Sequence, residues 1–255
     1  MAVNATTSTM VPIIYPERDG KPMGETDVHI DAIIYLREAL KQYFHQAPQV
    51  YVAGNLLIYY EEHNPSASIA PDVFVVPGVS KHQRRTYKLW EEGQPPAVVF
   101  EVTSRSSRLE DTGTKRAVYA MLGVQEYFIY DPLGEYLRPA LQGYRLQEGD
   151  YQRVQPASAG HLVSQVLGLE MRLEEGRLRL FNATTGERLL THGEAEEALQ
   201  RTQEHMAQVE ERAAQAEERV AQAEERAAQE AAAHQAAEAE LHRLRAELAR
   251  RQRET

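Results

Sequence analysis

The sequence predicts an α/β fold, in which an α/β core carries a β-hairpin extension and ends in a long C-terminal helix. Three observations carry this. A helical apolar pattern over 26–44 precedes short strand-like runs, and a second helix over 111–122 leads into one more such run. Beyond Asp131-Pro132 the apolar runs are punctuated by Glu148-Gly149-Asp150 and Glu174-Glu175-Gly176, residues suited to tight hairpin turns. From about Glu194 the composition narrows to Ala, Glu, Gln and Arg.

Residues 1–23 read as an extended leader, because Pro12, Pro16 and Pro22 block regular structure. In the helix at 26–44, Thr26 is placed to cap the N-terminus, and Ile30, Ile33, Ile34, Leu40 and Phe44 form the expected apolar stripe. Strands are expected at 50–53, 56–60, 73–76 and 97–103. Residues 78–96 read as one long loop bearing Lys81, Arg84, Arg85 and Lys88, of a length that usually serves function or motion. The helix at 111–122 stops at Gly123, and a strand follows at 126–131. Hairpin strands are expected at 143–147, 151–155, 169–173 and 177–181. The chain thus divides into a leader (1–23), a folded domain (24–190) and a C-terminal helix (191–255).

That last segment repeats every seven residues, with near-copies at 211–217, 218–224 and 225–231. A 3-4 seam runs from Leu199 through Met206, Val209 and Val220 to Leu241 and Leu248. Its middle is mostly Ala and is interrupted by Glu230 and His234. A coiled coil, in its simplest form a homodimer, and a solvated single helix both fit this pattern. Fully helical, the segment spans about 90 Å.

Composition narrows the function. The 255 residues suffice for one sizeable domain plus an appendage. The formal net charge is −10, of which residues 191–255 contribute −6 (15 acids, 9 arginines) and the remainder −4 (23 acids, 19 bases). Neither part carries the basic footprint of an avid nucleic-acid binder, although metal ions can supply local positive charge in a nuclease. No apolar run approaches the roughly 20 residues of a membrane span, and 1–10 lacks the order of a signal peptide. There is no cysteine, hence neither a disulfide nor a thiolate site, and a cytoplasmic location is expected.

The chemistry rests on acids in apolar strands. Asp72 opens Pro71-Asp72-Val73-Phe74-Val75-Val76, and Glu101 interrupts Ala97-Val98-Val99-Phe100-Glu101-Val102-Thr103. A carboxylate in such a run is costly unless something pairs with it. Strand alternation puts Val99, Glu101 and Thr103 on one face. A salt bridge to an arginine is the structural alternative for Glu101. Lys115, Val118, Tyr119 and Leu122 fall on one helical stripe, so Lys115 either snorkels at its edge or points at the acids. Two carboxylates on neighbouring strands suit Mg²⁺, which favours oxygen ligands and keeps several waters. A nearby lysine suits an attacking hydroxide or the charge on a phosphoryl group in transit.

The ordered segments Pro71-Asp72, Phe100-Glu101-Val102-Thr103-Ser104, Lys115-Arg116-Ala117-Val118-Tyr119 and Gly123-Val124-Gln125-Glu126-Tyr127-Phe128-Ile129-Tyr130-Asp131-Pro132 resemble the Uma-two family of restriction-endonuclease-like proteins, in the PD-(D/E)XK nuclease superfamily. The resemblance covers about residues 10–190. It implies a restriction-endonuclease-like fold with a four-stranded mixed sheet, and an endonuclease that hydrolyses DNA phosphodiester bonds. It also implies Asp72 and Glu101 as ligands of Mg²⁺ (Mn²⁺ substituting), with Lys115 as the third catalytic residue. The superfamily lysine would fall at position 103, where this chain has Thr103; relatives can move it to the following helix, which points to Lys115. An acid from the first helix is also common, with Glu25 as the match and His29 one turn on. Glu25 is equally a helix-start acid and His29 a packed core residue. Tyr119 orients Lys115 or simply packs, and Arg105 and Arg108 meet a phosphate or solvate a loop. Two alternatives stand beside the nuclease: an inactive nuclease-fold scaffold acting through its coiled coil, and a structural coiled coil with a globular cap.

Overall fold

In the computed structural model, which describes residues 13–17, 26–157 and 160–251, the first helix begins where its sequence can cap it. The Thr26 side chain accepts from the backbone N–H of His29 at 3.4 Å, Asp27 occupies the first turn, and helix α1 runs Asp27–Tyr43. The buried face differs from the expected stripe. His29, Tyr35, Leu36, Ala39 and Leu40 are buried, whereas Ile30 and Ile34 are 42% and 52% exposed. Two helical stripes coexist in this sequence, and the one that includes Leu36 and Ala39 meets the sheet. Small Ala39 permits close approach, and Tyr35 finds partners: its hydroxyl donates to the Leu189 carbonyl and accepts from the Leu180 N–H.

The strands that follow are β1 (Val50–Ala53), β2 (Ile58–Tyr59), β3 (Ser68–Ile69), β4 (Val73–Pro77), β5 (Tyr87–Lys88) and β6 (Val98–Val102). A one-turn helix α2 (Leu89–Glu92) lies between β5 and β6. Helix α3 (Lys115–Met121) leads to β7 (Glu126–Tyr130), β8 (Leu141–Gln147) and β9 (Asp150–Arg153), then β10 (Leu162–Ser164), β11 (Leu169–Glu174) and β12 (Arg177–Asn182). The main sheet has six strands in the order β1-β4-β6-β7-β8-β9, not four. Only β6–β7 is parallel, and α3 makes that crossover. The extra strands come from the hairpin region: β8 turns back onto β7, and β9 onto β8. Strands β10–β12 form a second antiparallel sheet.

The region expected as one loop, 78–96, contains β5 and α2, and the expected strand at 56–60 shortens to β2. Strand β2 leaves the main sheet to pair with β3 and β5 in a third small sheet. Elements of two to four residues give too little periodicity to be read from sequence. Tyr15, within the proline-rich leader, packs its ring against Tyr59 and Trp90 at 5.0 and 5.4 Å.

The main sheet is a middle layer with a core on each face. On one side Leu36, Leu40, Val52, Val73, Phe100 and Phe128 join residues of β10–β12. On the other Phe74, Val76, Val99, Tyr119, Tyr127 and Ile129 pack with the small sheet and α3. Glycines allow two close approaches. A Cβ on Gly143 would meet the Phe128 ring at 2.7 Å, and one on Gly54 would lie 2.4 Å from the Asp72 carbonyl oxygen. Asp131 closes the turn after β7 by accepting four backbone N–H groups, from Leu133, Gly134, Tyr136 and Leu137. The chain falls into two compact units, divided between Gly193 and Glu194. Helix α4 runs His192–Arg251. No helix among the described residues is long and apolar enough to cross a membrane.

Candidate active site

Antiparallel pairing of β4 with β6 sets Val73 opposite Phe100, so one step back Asp72 stands opposite Glu101. Both belong to the α3 face by strand parity, alongside Phe74 and Val99. They are latched to each other's strand. The Val102 N–H donates to Asp72 Oδ2 at 2.7 Å, and the Asp72 N–H to Glu101 Oε2 at 3.4 Å.

Glu101 is 1% exposed. Lys115 Nζ donates to its Oε2 at 2.9 Å and the Tyr119 hydroxyl to its Oε1 at 2.5 Å. The partner is thus the helix lysine rather than an arginine, and Tyr119 both packs and donates. The structure brings Asp72, Glu101, Lys115 and Tyr119 together.

A further acid joins them that the sequence reading took only as a helix start. Asp111 is fully buried, and its Oδ1 lies 3.1 Å from Lys115 Nζ. Among the described residues neither of its side-chain oxygens has a hydrogen bond. The chain enters α3 through a π-helical turn, Glu110–Thr114, of the kind often found at functional sites. That turn is held by the Tyr127 hydroxyl on the Asp111 carbonyl at 2.8 Å. The legible signal was the spacing: Asp111 and Lys115 are four apart and share one helical face.

Three carboxylates therefore surround one ammonium. Burial pushes Glu101 well above the usual carboxylate range; Lys115 opposes this, while Asp72 and Asp111 add to it. Asp72 is raised to about 6, chiefly by burial, against the pull of Lys115 and the Val102 N–H. The acids raise the lysine above its ordinary value despite burial.

This donor set fits a hard divalent ion. The acids outnumber the lysine, they supply only oxygen, and Asp111 keeps a buried carboxylate without a hydrogen bond. Among the described residues no three His, Cys, Asp or Glu side chains form a ready metal cage. The fit is thus to an ion held by two carboxylates and water. Glu25 lies outside the described residues.

Beyond Thr103 a cavity of about 470 Å³ is lined by Thr26, His29, Thr103, Ser104, Arg105 and Tyr136, among others. Thr103, at the expected lysine position, is 1% exposed, and its hydroxyl has no partner among the described residues. Arg105 reaches this cavity, whereas Arg108 is exposed outside it. His29 is buried at the cavity wall.

A mixed sheet whose two parallel strands are joined through α3 is a restriction-endonuclease-like fold. The chain belongs to the Uma2 family, described as "Putative restriction endonuclease", which it matches over residues 19–180. The crystal structure of a "putative nuclease belonging to DUF820" from Anabaena variabilis ATCC 29413 is similar at 14% identity and a TM-score of 0.43, covering 58% of this chain and 76% of that one. No curated protein matches the chain.

Proposed function

We propose that the protein is a metal-dependent endonuclease of the PD-(D/E)XK type, hydrolysing phosphodiester bonds in DNA with Mg²⁺, or Mn²⁺ in its place. The observation that carries this reading is the pairing of Asp72 with Glu101 across β4 and β6, with Lys115 on Glu101 at 2.9 Å. Asp72 and Glu101 would hold the ion, and the unbonded carboxylate of Asp111 stands beside them. A bound ion would supply Lewis-acid polarisation of a phosphoryl oxygen and a more acidic water. Lys115 keeps a fixed positive charge for the negative oxygens of the reaction, and Tyr119 fixes the Glu101 carboxylate. The absence of cysteine agrees with action in the cytoplasm.

One observation favours the scaffold reading. Both Glu101 oxygens already accept protein hydrogen bonds, which an ion would have to share or displace. Calorimetric titration of the full-length protein with Mg²⁺ and Mn²⁺, beside nicking of supercoiled plasmid, separates the two. Binding and nicking are expected in wild type, and loss of both in Glu101→Gln. A wild type that binds neither ion and leaves the plasmid intact would establish the scaffold.

The same proposal gives α4 the role of a dimerising coiled coil, because cleavage of both DNA strands needs two sites. Leu199, Met206, Val209, Val220, Leu241 and Leu244 are all at least half exposed along it. Light scattering is expected to give twice the chain mass of 28.9 kDa, falling to one copy when Glu194–Thr255 is deleted. A full-length monomer at micromolar concentration would refute this.

A further inference from the structure

A second charged feature lies away from the acids, along the β1 edge of the main sheet. Among the described residues strand β1 pairs only with β4 and stands at the end of the sheet. A cleft of about 560 Å³ follows that edge, lined by Arg37, Lys41, His45, Lys81 and Arg84 beside β1 itself, with no acid among its lining residues. Arg37, Lys41 and His45 are four apart, so α1 and the turn after it present them as one row.

The cations are held in place. Lys81 Nζ donates to the Phe44 and His45 carbonyls at 2.5 and 3.1 Å. Arg84 lies over the Tyr51 ring at 4.3 Å and is neutralised by Glu92, at 2.6 and 2.8 Å. Glu38 touches Arg37 at 2.8 Å and Lys41 at 3.5 Å from outside the lining. Counting Glu38 and Glu92, the four strong bases leave a surplus of positive charge, in a domain that is net negative. Arg37 and Lys41 remain 44% and 38% exposed.

At its Gly54 end the cleft comes close to the backbone of Asp72, the residue whose carboxylate belongs to the acidic cluster. At Gly54 the Arg37 stem and the Asp72 backbone converge: a Cβ there would lie 3.5 Å from Arg37 Cδ and 2.4 Å from the Asp72 oxygen. From Val50 to Gly54 the edge runs about 13 Å. That is room for several nucleotides of a stacked strand at about 3.4 Å each.

We propose that the cleft along β1 binds the phosphodiester backbone of a polynucleotide strand and leads it to Asp72. This rests on the nuclease reading and adds the path by which substrate enters. Charge attracts and aligns the backbone there without reading sequence.

The test uses full-length protein in EDTA at low salt, with fluorescein-labelled single-stranded DNA, duplex DNA and single-stranded RNA read by anisotropy. Arg37→Glu/Lys41→Glu is expected to raise Kd at least tenfold for the preferred probe. The salt slope for a single strand should become shallower by about 0.7 per lost contact. Arg153→Glu/Arg177→Glu carries the same charge change on β9 and β12 and is expected to stay within about threefold of wild type. If the reversal variant does not fold, Arg37→Ala/Lys41→Ala and Lys81→Ala decide, each expected to weaken binding in the same direction. Equal loss in both reversal pairs, unchanged affinity in the cleft variants, or a wild type that binds no probe would overturn the proposal. Plasmid nicking on the same samples separates the two readings. Binding that needs the cleft, without nicking, sinks the nuclease and leaves the cleft; nicking with unchanged cleft-variant affinity does the reverse.

Discussion

Glu101→Gln is expected to leave the metal-free protein more stable than wild type at pH 8 and about equally stable near pH 4. The reason is the sign of the shifts. An ordinary salt-bridged acid has a lowered folded-state pKa and loses stability as pH falls. Here burial raises both Glu101 and Asp72. The folded state then binds more protons than the unfolded chain, so stability falls as pH rises. For Asp72 the window opens near the ordinary aspartate value of 3.8 and closes near 6; for Glu101 it opens near the ordinary glutamate value of 4.5 and extends above it. Glutamine removes one charge from a cluster of three acids and one lysine while keeping the shape. Its amide oxygen can accept from Lys115, and its NH₂ can donate to the Tyr119 oxygen. A gain in stability at pH 8 is expected, seen as a higher Tm than that of wild type. Thermal unfolding in EDTA across pH 4–8 reads it out. Parallel curves for the two proteins would show that Glu101 is not carrying the strained charge. The same substitution should lower nicking by about 10³-fold or more, so stability and activity move in opposite directions.

Lys115→Met is expected to be the most damaging single change at the site. It leaves Glu101 and Asp111 buried without their ammonium, whose Nζ lies 2.9 and 3.1 Å from them. Removing one partner of a buried pair costs about 3–5 kcal/mol. Protons can stand in for the lysine, so the loss should be larger at pH 8 than at pH 5.5. Adding Glu101→Gln should recover part of it, because the two side chains share one interaction. Urea denaturation of the two single variants and the double variant at both pH values measures this. An equal cost at both pH values, with strict additivity, would mean that Lys115 contributes only its packed stem.

Much of the site was legible because strand and helix periods are short-range rules. Glu101 in an apolar strand and Lys115 on the stripe of Tyr119 followed from alternation and from the 3.6-residue period. Asp111 was missed because a helix-start acid has an ordinary explanation in the dipole. Only its complete burial and the 3.1 Å from its Oδ1 to Lys115 Nζ show that it points inward. The α1 stripe was misjudged for a related reason. Ile30 and Ile34 satisfy the period as well as Leu36 and Leu40 do, and periodicity does not say which face meets a sheet.

The sequence by itself determined the α/β order, the acids just before β4 and within β6, the stripe that carries Lys115 and the long helix after Glu194. Each depends on local period and composition, which a linear chain already contains. Tertiary structure alone decided the six-strand order, the departure of β2 into a separate small sheet, the burial of Asp111 beside Glu101, and the row of bases along β1. Those depend on which strand pairs with which, and pairing brings together residues such as Arg37, Gly54 and Asp72 whose separation in sequence carries no signal.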